Sequence, residues 1–165
     1  MNEIFDHRDI QHRVWINWYH NSVLVERYFD NSLTRATKLP YQQFLVLSTM
    51  NALGEKANAT EMAKLLDKNT NTLSTILDRM ERKGLINKIR DTQDRRLVFA
   101  VMTPKGQEKF SASTKASITI YEKLSCSFSK AEMTEFNALL VKLMKNTEKL
   151  LTPPKPIKKH KKYQD

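Results

Sequence analysis

The chain has 165 residues, which suits one domain, or one domain with additional elements for assembly. Its single cysteine, Cys126, can form no disulfide within the chain, which fits a reducing cytoplasm. The net charge of +10 favours a polyanionic partner, nucleic acid before membrane. No apolar run approaches the roughly 18 residues of a membrane-spanning helix, and the first residues lack a signal-peptide pattern. We therefore expect a cytoplasmic protein that does not contact membrane.

The positive charge is concentrated in two stretches. Residues 79–109 hold nine Lys or Arg against four Asp or Glu, and residues 152–165 hold five Lys against one Asp. Charge clustered in this way indicates a contact surface rather than a general aid to solubility. The second stretch follows Pro153 and Pro154 and is poor in apolar residues, so we predict a disordered lysine-rich tail at 152–165.

Residues 1–36 are predicted to form an N-terminal dimerisation helix, which starts near residue 4. The segment contains no Gly or Pro, and its bulky residues, such as Trp15, Trp18 and Phe29, lie on more than one helical face. A helix with this pattern is usually buried on several sides, often in an oligomer interface. Plain core packing is the alternative for any single aromatic residue here.

Residues 37–103 carry the signals of a helix-turn-helix. Pro40 opens a helix over residues 41–53, and residues 58–61 read as a capping box in front of a short helix. A tight turn leads to a longer helix that Asn69 or Thr70 can cap and that ends at Gly84. This last helix has a stripe at positions i, i+3, i+4 and i+7 that we expect to be buried, formed by Leu73, Ile76, Leu77 and Met80.

The opposite face of the longer helix is polar at its leading end. It carries slim side chains followed by cations, namely Asn71, Ser74, Thr75, Asp78, Arg79 and Arg82. Slim donors and acceptors let a helix backbone approach base edges in the DNA major groove. An ordinary surface helix is the alternative, because Asn, Ser and Thr favour helix N-termini in any case.

After Gly84 the apolar period changes from 3.6 to 2. Residues 85–90 and 97–102 are β-rich runs on either side of a polar segment that contains Arg95 and Arg96. We predict a hairpin over 85–102 that forms the wing of a winged helix, with tip arginines able to enter the minor groove.

Residues 104–151 are predicted to form C-terminal dimerisation helices. Thr103-Pro104 starts the first of them, which we expect to bury Phe110, Ile118, Tyr121 and Leu124. Residues 129–132 form a capping box that opens a last helix, and its apolar stripe is Met133, Phe136, Leu140, Leu143, Thr147 and Leu150.

Residues 58–106 resemble the MarR (multiple antibiotic resistance regulator) family of bacterial transcription factors. The resemblance is carried in order by residues 61–66, by residues 73–86, by Asp91-Thr92-Gln93-Asp94-Arg95-Arg96 and by Met102-Thr103-Pro104-Lys105-Gly106. It implies an α+β, mainly helical fold, in which a winged helix-turn-helix domain lies between long dimerisation helices. It also implies a homodimer that binds a pseudo-palindromic operator in double-stranded DNA.

The family resemblance assigns roles to individual residues. It implies that Asn71, Thr72, Ser74 and Thr75 face the major groove, that Asp94 pairs with Arg96, and that Arg95 or Arg96 reaches the minor groove. The family often has arginine where this chain has Thr75, so an arginine–guanine contact there is lost or supplied by another residue. The complete candidate DNA contact set is Thr70, Asn71, Thr72, Ser74, Thr75, Arg79, Arg82, Lys88, Arg90, Asp94, Arg95 and Arg96.

Similar proteins bind small aromatic acids or phenols between the DNA-binding domain and the dimer helices. In this chain the candidate lining residues are Trp15, Tyr19, His20, Tyr41 and Phe44, with core packing as the alternative. The sequence offers no phosphate loop or nucleophile motif, so we expect neither an enzyme nor a cofactor. We expect no metal site either, because the spacing of His7, His12 and His20 does not place them side by side on a helix. Cys126 does not match the position of the reactive cysteine in related peroxide sensors.

The sequence thus predicts a dimeric, sequence-specific transcriptional regulator that represses by occluding a promoter and is released by a small aromatic ligand. Two alternatives remain open at this point. One is a nucleoid-type protein that coats DNA through charge alone, and the other is a winged-helix module that docks proteins. A regulator should prefer its own site by about 10³ or more, whereas a coating protein should discriminate little.

Overall fold

The structure is a computed structural model that describes residues 9–54, 57–91 and 97–151. The chain divides into two compact units, residues 1–124 and residues 125–165. In chain order the elements are α1 (Ile10–Thr37), α2 (Tyr41–Leu53), β1 (Ala57–Asn58), α3 (Ala59–Leu65), α4 (Thr70–Arg82), β2 (Ile86–Arg90), β3 (Val98–Met102), α5 (Pro104–Ser125) and α6 (Lys130–Leu151).

The first two helices are joined by a short turn that a carboxylate closes. The Oδ1 atom of Asp9 accepts a hydrogen bond from the backbone N–H of Gln11 and caps α1, which ends where Lys38 adopts φ +60°. The backbone N–H of Tyr41 donates to Oδ1 of Asp30 at 2.7 Å, so α1 supplies the missing acceptor for the first turn of α2. The predicted helix at the N-terminus is present, and its proposed start near residue 4 lies outside the described residues.

The two helices of the helix-turn-helix begin at asparagine caps, as predicted. Oδ1 of Asn58 accepts from the backbone N–H groups of Thr60 and Glu61, at 2.8 and 3.3 Å, and so begins α3. Oδ1 of Asn69 accepts from the backbone N–H of Thr72 at 2.7 Å and begins α4. Each cap satisfies backbone donors that have no partner within the helix.

A three-stranded antiparallel sheet follows the helix-turn-helix, with strand order β1-β3-β2. Strands β2 and β3 form the predicted hairpin, in which Ile86 lies opposite Met102. The third strand, β1, was not predicted because two residues cannot display a period of two. It is held by pairing with β3, where Ala57 lies opposite Ala100. The predicted hairpin tip, residues 92–96, lies outside the described residues.

The apolar core lies in the first unit and draws on α1 to α5 and all three strands. Leu73, Leu77 and Met80 of α4 are buried as predicted, and Ile76 at the edge of the stripe is half-buried. In α2, Val46 is buried and its neighbour Leu45 is half-buried. The buried apolar residues are Phe29, Leu33, Leu39, Phe44, Val46, Leu47, Met50, Ala57, Met62, Ala63, Leu73, Leu77, Met80, Leu85, Ile86, Ala100 and Ile120.

Helix α5 buries only part of the predicted set: Phe110 and Leu124 are half-buried against the core, whereas Ile118 and Tyr121 are exposed. Ile118 is 55% exposed, whereas Ser113, Ser117 and Ile120 are buried. Ile118 points away because residues two apart on a helix lie about 200° apart, on opposite sides. Small serine side chains let α5 approach its neighbours closely. The hydrophobicity of the sequence does not indicate that these serines are buried.

Helix α6 belongs to the second unit, and its predicted apolar stripe is half-buried at Leu140 and Leu143 but exposed at Met133, Phe136 and Leu150. The predicted capping box is present, since the backbone N–H of Glu132 donates to Oγ of Ser129 and the Glu132 carboxylate accepts from the Ser129 backbone N–H at 2.8 Å. These hydrogen bonds, the backbone bond first, lower the pKa of the Glu132 carboxyl. No residue of α6 is buried within the described part of the chain, although Phe136, Leu139 and Met144 are large apolar groups.

Candidate nucleic-acid interface

The N-terminal half of α4 presents the predicted row of slim polar side chains to solvent. Thr70, Asn71, Thr72, Ser74 and Thr75 are all exposed. They are held outward because Leu73, Leu77 and Met80 anchor the opposite face of the helix in the core. The candidate readers of the major groove are therefore displayed together on a fixed helix.

The hydroxyl hydrogen of Thr75 is already used in a hydrogen bond within α4. Its hydroxyl donates to the backbone carbonyl of Asn71 at 3.0 Å, so the hydrogen points back into the helix. Its methyl group and the acceptor lone pairs of its oxygen stay available on the exposed face. A threonine in this state can contact the methyl group of thymine or accept from a base amine, but it cannot replace the bidentate arginine–guanine contact.

A groove of about 590 Å³ separates α4 from the hairpin and gathers residues from four elements, α3, α4, β2 and β3. Ser74 and Asn71 of α4 line one wall, Lys88 and Arg90 of β2 line the other, and Thr60 of α3 contributes at one end. Thr70 also lines it, so five of the predicted DNA contacts meet there. Thr60 was not among the predicted DNA contacts. The one feature of the sequence that could have suggested it is its place in the first turn of the first helix of the helix-turn-helix.

Lys88 is half-buried and is paired within the protein, although it also lines this groove. Its ammonium group forms an ion pair and hydrogen bond with Oδ1 of Asp78 and lies 3.3 Å from Oε2 of Glu81. Its backbone N–H also donates to Oε1 of Glu81 at 2.9 Å. These contacts, which we call the Lys88 clamp, join the base of the hairpin to the outward face of α4.

The Lys88 clamp changes the protonation of both partners. The hydrogen bond from Lys88, and next its positive charge, lower the pKa of the Asp78 carboxyl. The hydrogen bond to Asp78 is likewise the largest cause that raises the pKa of Lys88. Lys88 therefore stays charged, but two carboxylates offset the charge that was predicted to contact DNA.

The predicted arginines of α4 lie apart from the polar N-terminal turns. Arg79 lines a cleft between α1, α2 and α4, and Arg82 lines a pocket at the C-terminal end of α4. The Nε–H of Arg82 donates to the backbone carbonyl of Asp78 at 3.4 Å. Within this chain, the structure does not bring either side chain into the groove between α4 and the hairpin. Asp94, Arg95 and Arg96 lie outside the described residues.

The five residues predicted to line an effector pocket do not meet within one chain. Phe44 is only 6% exposed and stacks on Phe110 with ring centroids 6.1 Å apart, so it belongs to the core. Trp15 and Tyr19 are 53% and 72% exposed, and His20 is exposed as well. Tyr41, on α2, packs against Phe29 of α1 with ring centroids 4.5 Å apart. Trp15 lies fourteen residues before Phe29 on α1, which corresponds to about 21 Å along the helix axis.

Tyr41 instead lines the cleft between α1, α2 and α4, which has a volume of about 500 Å³. Glu26, Arg27, Ile76 and Arg79 are among its other lining residues. Burial, followed by the neighbouring Tyr121 and Glu26, raises the pKa of the Tyr41 hydroxyl. The phenol thus remains protonated near neutral pH and can donate a hydrogen bond.

The described residues were compared with what a metal site, a membrane-spanning helix and a reactive cysteine require. Among residues 9–54, 57–91 and 97–151, no group of three His, Cys, Asp or Glu side chains is placed to hold a metal ion. In the same ranges no helix combines the length and apolar character needed to cross a bilayer. Cys126, between α5 and α6, is an exposed free thiol.

The exposed polar turns of α4 and the antiparallel hairpin that follows define a winged-helix DNA-binding protein. Known proteins share both the sequence and the architecture. The MarR family model matches residues 39–98. The HTH-type transcriptional regulator MgrA of Staphylococcus aureus is 32% identical over 142 residues, which cover 84% of this chain and 92% of MgrA. The chain belongs to the MarR family, whose members are DNA-binding transcriptional regulators and not enzymes.

Solved structures of regulators confirm the predicted winged-helix fold. The organohalide-sensing regulator RdhR-CbdbA1625, in its 2,4-dichlorophenol-bound form, matches with a TM-score of 0.80 and 25% identity. That match covers 95% of this chain and 96% of the other. A mutant MarR from E. coli in complex with operator DNA matches with a TM-score of 0.70 at 20% identity, covering 81% and 94% of the two chains.

Proposed function

We propose that this regulator binds a pseudo-palindromic promoter operator as a homodimer and represses transcription by occluding the promoter. The observation that carries the proposal is the groove between α4 and the hairpin, where Asn71, Ser74 and Arg90 meet. Slim polar groups at the leading end of a helix suit base edges, and a flanking cation suits the phosphate backbone. Such a protein works where the chromosome lies, so we assign it to the cytoplasm of a bacterial or archaeal cell.

The homodimer is supported by apolar surface that one copy leaves uncovered. On α1 the exposed groups include Val14, Trp15 and Trp18, and α6 exposes Phe136 and Leu139. Exposed apolar groups clustered on a helix, as on each of these two, mark an interaction site. A second copy is the partner we propose, because a two-fold dimer presents two recognition helices to two half-sites about one DNA turn apart, roughly 34 Å.

The effector site that we propose is the cleft between α1, α2 and α4. Its volume of about 500 Å³ fits a small ligand, and it combines the Ile76 side chain with the protonated Tyr41 hydroxyl. Glu26 and Asp30 also line the cleft but accept hydrogen bonds from Gln42 and from the Tyr41 backbone. Arg27 and Arg79 are therefore the groups we propose to face the acidic end of a phenol or an aromatic carboxylic acid. A phenol-bound relative, the regulator with 2,4-dichlorophenol, supports this ligand class.

The proposed ligand acts by a population shift. Because the cleft joins α1 to the recognition helix α4, a bound ligand can favour one placement of α4 over another. We expect 2,4-dichlorophenol to weaken operator binding of the wild-type protein and to do so less in Arg79→Gln. Equal weakening in both proteins would remove this cleft from the proposal.

Base reading by α4 is tested by alanine substitutions of its exposed polar residues. Asn71→Ala and Ser74→Ala should each reduce the preference for operator over scrambled DNA by about tenfold or more, because a base contact contributes roughly 1–3 kcal/mol of discrimination. Asn51→Ala, which alters an exposed residue of α2, is the matched control. The measurement is competition binding of operator fragments selected from genomic DNA.

Three outcomes of this competition experiment would contradict the proposal. An unchanged preference in both α4 variants would show that α4 does not read bases. A wild-type protein that selects no fragment over bulk DNA would instead be a coating protein. A protein that binds no DNA at all would have to use the winged helix for another partner.

A further inference from the structure

A second pocket, at the C-terminal end of α4, is lined almost entirely by cations. Its volume is about 300 Å³, at the lower end of the range for small-ligand pockets. None of the described residues that line it is acidic, and two of them, Leu39 and Leu85, are buried apolar side chains. Its cationic residues come from three separate parts of the chain and are Lys38, Arg82, Lys83, Lys105 and Lys109. We call it the basic pocket.

Hydrogen bonds within the chain hold three of these lysines in place. Nζ of Lys105 donates to the backbone carbonyl of Lys83 at 2.7 Å, and Nζ of Lys109 donates to the carbonyl of Thr37 at 2.8 Å. Nζ of Lys83 donates to Oε1 of Gln43 at 3.2 Å. The cations are therefore ordered before any ligand arrives, which lowers the entropic cost of binding.

These hydrogen bonds leave most of the positive charge uncompensated. All three acceptors are neutral oxygens, and the C-terminal ends of α1 and α4 contribute roughly half a negative charge each. About four of the five positive charges thus remain. Lys88 gives a contrast within the same protein, because two carboxylates face its ammonium group.

Capping of helix ends explains Lys105 and Lys109, but it does not explain the whole cluster. Lys38 ends α1 through its backbone N–H, and its side chain brings a further like charge to the mouth of the pocket. Like charges held close together repel, so the cluster lowers the stability of the protein by an amount that a bound anion would offset. Convergent lysine and arginine side chains are the groups that bind phosphate best.

We propose that the basic pocket binds a small anion with two or more linked phosphate groups. The shared chemistry is that of inorganic pyrophosphate and of the phosphate chain of a nucleoside di- or triphosphate. Operator DNA is a less suitable occupant, because the pocket lies at the opposite end of α4 from Asn71. Eleven residues separate Asn71 from Arg82, which corresponds to about 17 Å along the helix.

The test is pyrophosphate binding to the full chain, measured by calorimetry and by thermal unfolding against sodium chloride of equal ionic strength. We expect saturable binding and a rise in the unfolding temperature for the wild-type protein. The double variant Lys38→Asn/Lys83→Gln should bind at least about tenfold more weakly. Asparagine is used at position 38 because it tolerates the left-handed backbone there, φ +60°.

The matched control removes two charges from α5 outside the pocket, as Lys115→Gln/Lys123→Gln, two exposed lysines. This control should bind pyrophosphate as the wild type does. Without ligand and at low salt, the pocket variant should also unfold at a higher temperature than the control, because it relieves repulsion. This second readout does not depend on which phosphate compound fills the pocket.

A nucleoside triphosphate distinguishes the two sources of phosphate. Tighter binding of the nucleotide than of inorganic tripolyphosphate assigns the site to nucleotides, and equal binding assigns it to the phosphate chain alone. A pyrophosphate effect no greater than that of chloride would overturn the proposal, as would undiminished binding to the pocket variant. A pocket variant that lost DNA affinity and salt dependence but kept pyrophosphate binding would make the cluster a DNA contact, which also overturns it.

Discussion

Lys88 illustrates how a residue's neighbours decide its role. In sequence it is one of nine cations between residues 79 and 109, and it belongs to the candidate DNA contact set. In the structure Asp78 and Glu81 engage its ammonium group. Asp78 and Lys88 lie ten residues apart, so no helical or strand spacing in the sequence indicates their pairing. Lys88 positions the hairpin against α4 instead of adding free charge.

The pKa shifts of the Lys88 clamp give a pH window for its effect on stability. The pKa of Asp78 is lowered from 3.8, so the clamp contributes fully above that value and is lost as pH falls through the lower pKa of the folded state. The pKa of Lys88 is raised from 10.5, so its contribution is full below that value and is lost only as pH rises through the higher folded-state pKa. The clamp therefore operates across the neutral range.

The clamp predicts that Lys88→Met lowers the free energy of unfolding at pH 7, and that this deficit shrinks at a pH well below 3.8, because the stabilisation is lost as pH falls through the lowered pKa of Asp78. Urea unfolding at the two pH values measures the difference. Lys64→Met, which removes an exposed lysine from α3, controls for the loss of one positive charge. A deficit for Lys88→Met of equal size at both pH values would show that Asp78 is not the partner that matters.

At the scale of elements, the sequence predicted best where the local signals are strong. Asn58, Asn69 and Ser129 all begin helices, because a side-chain cap acts within three residues and leaves a mark in the sequence. The apolar stripe of α4 and the alternation of β2 and β3 were visible for the same reason. Gly84 ends the recognition segment at φ +69°, as its position after Arg82 suggested.

Features that depend on the approach of distant segments were missed. Strand β1 exists only because β3 offers it an edge. The buried face of α5 is formed by Ser113, Ser117 and Ile120, and its serines look like surface residues in the sequence. The effector residues on α1 were grouped by their chemistry, although the length of the helix separates Trp15 from Tyr41. The basic pocket was likewise invisible, because its cations are distant in sequence.

The contact between α5 and the residue before β2 depends on a glycine. A Cβ atom at Gly106 would lie 2.0 Å from the backbone carbonyl oxygen of Leu85. The same carbonyl accepts from the backbone N–H of Thr103 at 3.1 Å, so it cannot move away without loss of that hydrogen bond. In a helix, Gly→Ala usually stabilises by about 1 kcal/mol. Here the overlap should outweigh that gain.

We expect Gly106→Ala to destabilise the protein by about 1–3 kcal/mol, since overpacking against backbone costs that much. Denaturant unfolding provides the measurement. Ser111→Ala, at an exposed position of the same helix, should have no effect or a slightly stabilising one. A stabilised Gly106→Ala variant would mean that α5 and the hairpin are not in close contact.

At the scale of the whole molecule, much of the apolar surface of α6 is exposed in one copy of the chain, although Phe136 stacks on Phe128 with ring centroids 6.1 Å apart. A charge placed on that surface should break the proposed dimer, with only the stack on Phe128 lost inside the monomer. Phe136 is 44% exposed and suits this test. Ala138 is exposed and lies about 160° around the helix from Phe136, on the polar side with Thr134 and Lys145, so a lysine there is a control with the same added charge.

Phe136→Lys should therefore sediment as a monomer of about 19.3 kDa, whereas the wild type and Ala138→Lys should sediment at twice that mass. Operator affinity should fall with the loss of the second recognition helix. A dimeric Phe136→Lys protein would exclude this surface of α6 from the interface.

The central claim, sequence-specific regulation, is tested most directly by fluorescence anisotropy with two DNA duplexes. One duplex comes from upstream of the protein's own gene, and the other is a scrambled sequence of equal composition. At about 150 mM salt nonspecific binding is suppressed. We predict that the protein prefers the first duplex by about 10³ or more. Equal affinity for both would contradict regulation of its own promoter, and equal affinity for every fragment of the genome would contradict sequence-specific regulation altogether.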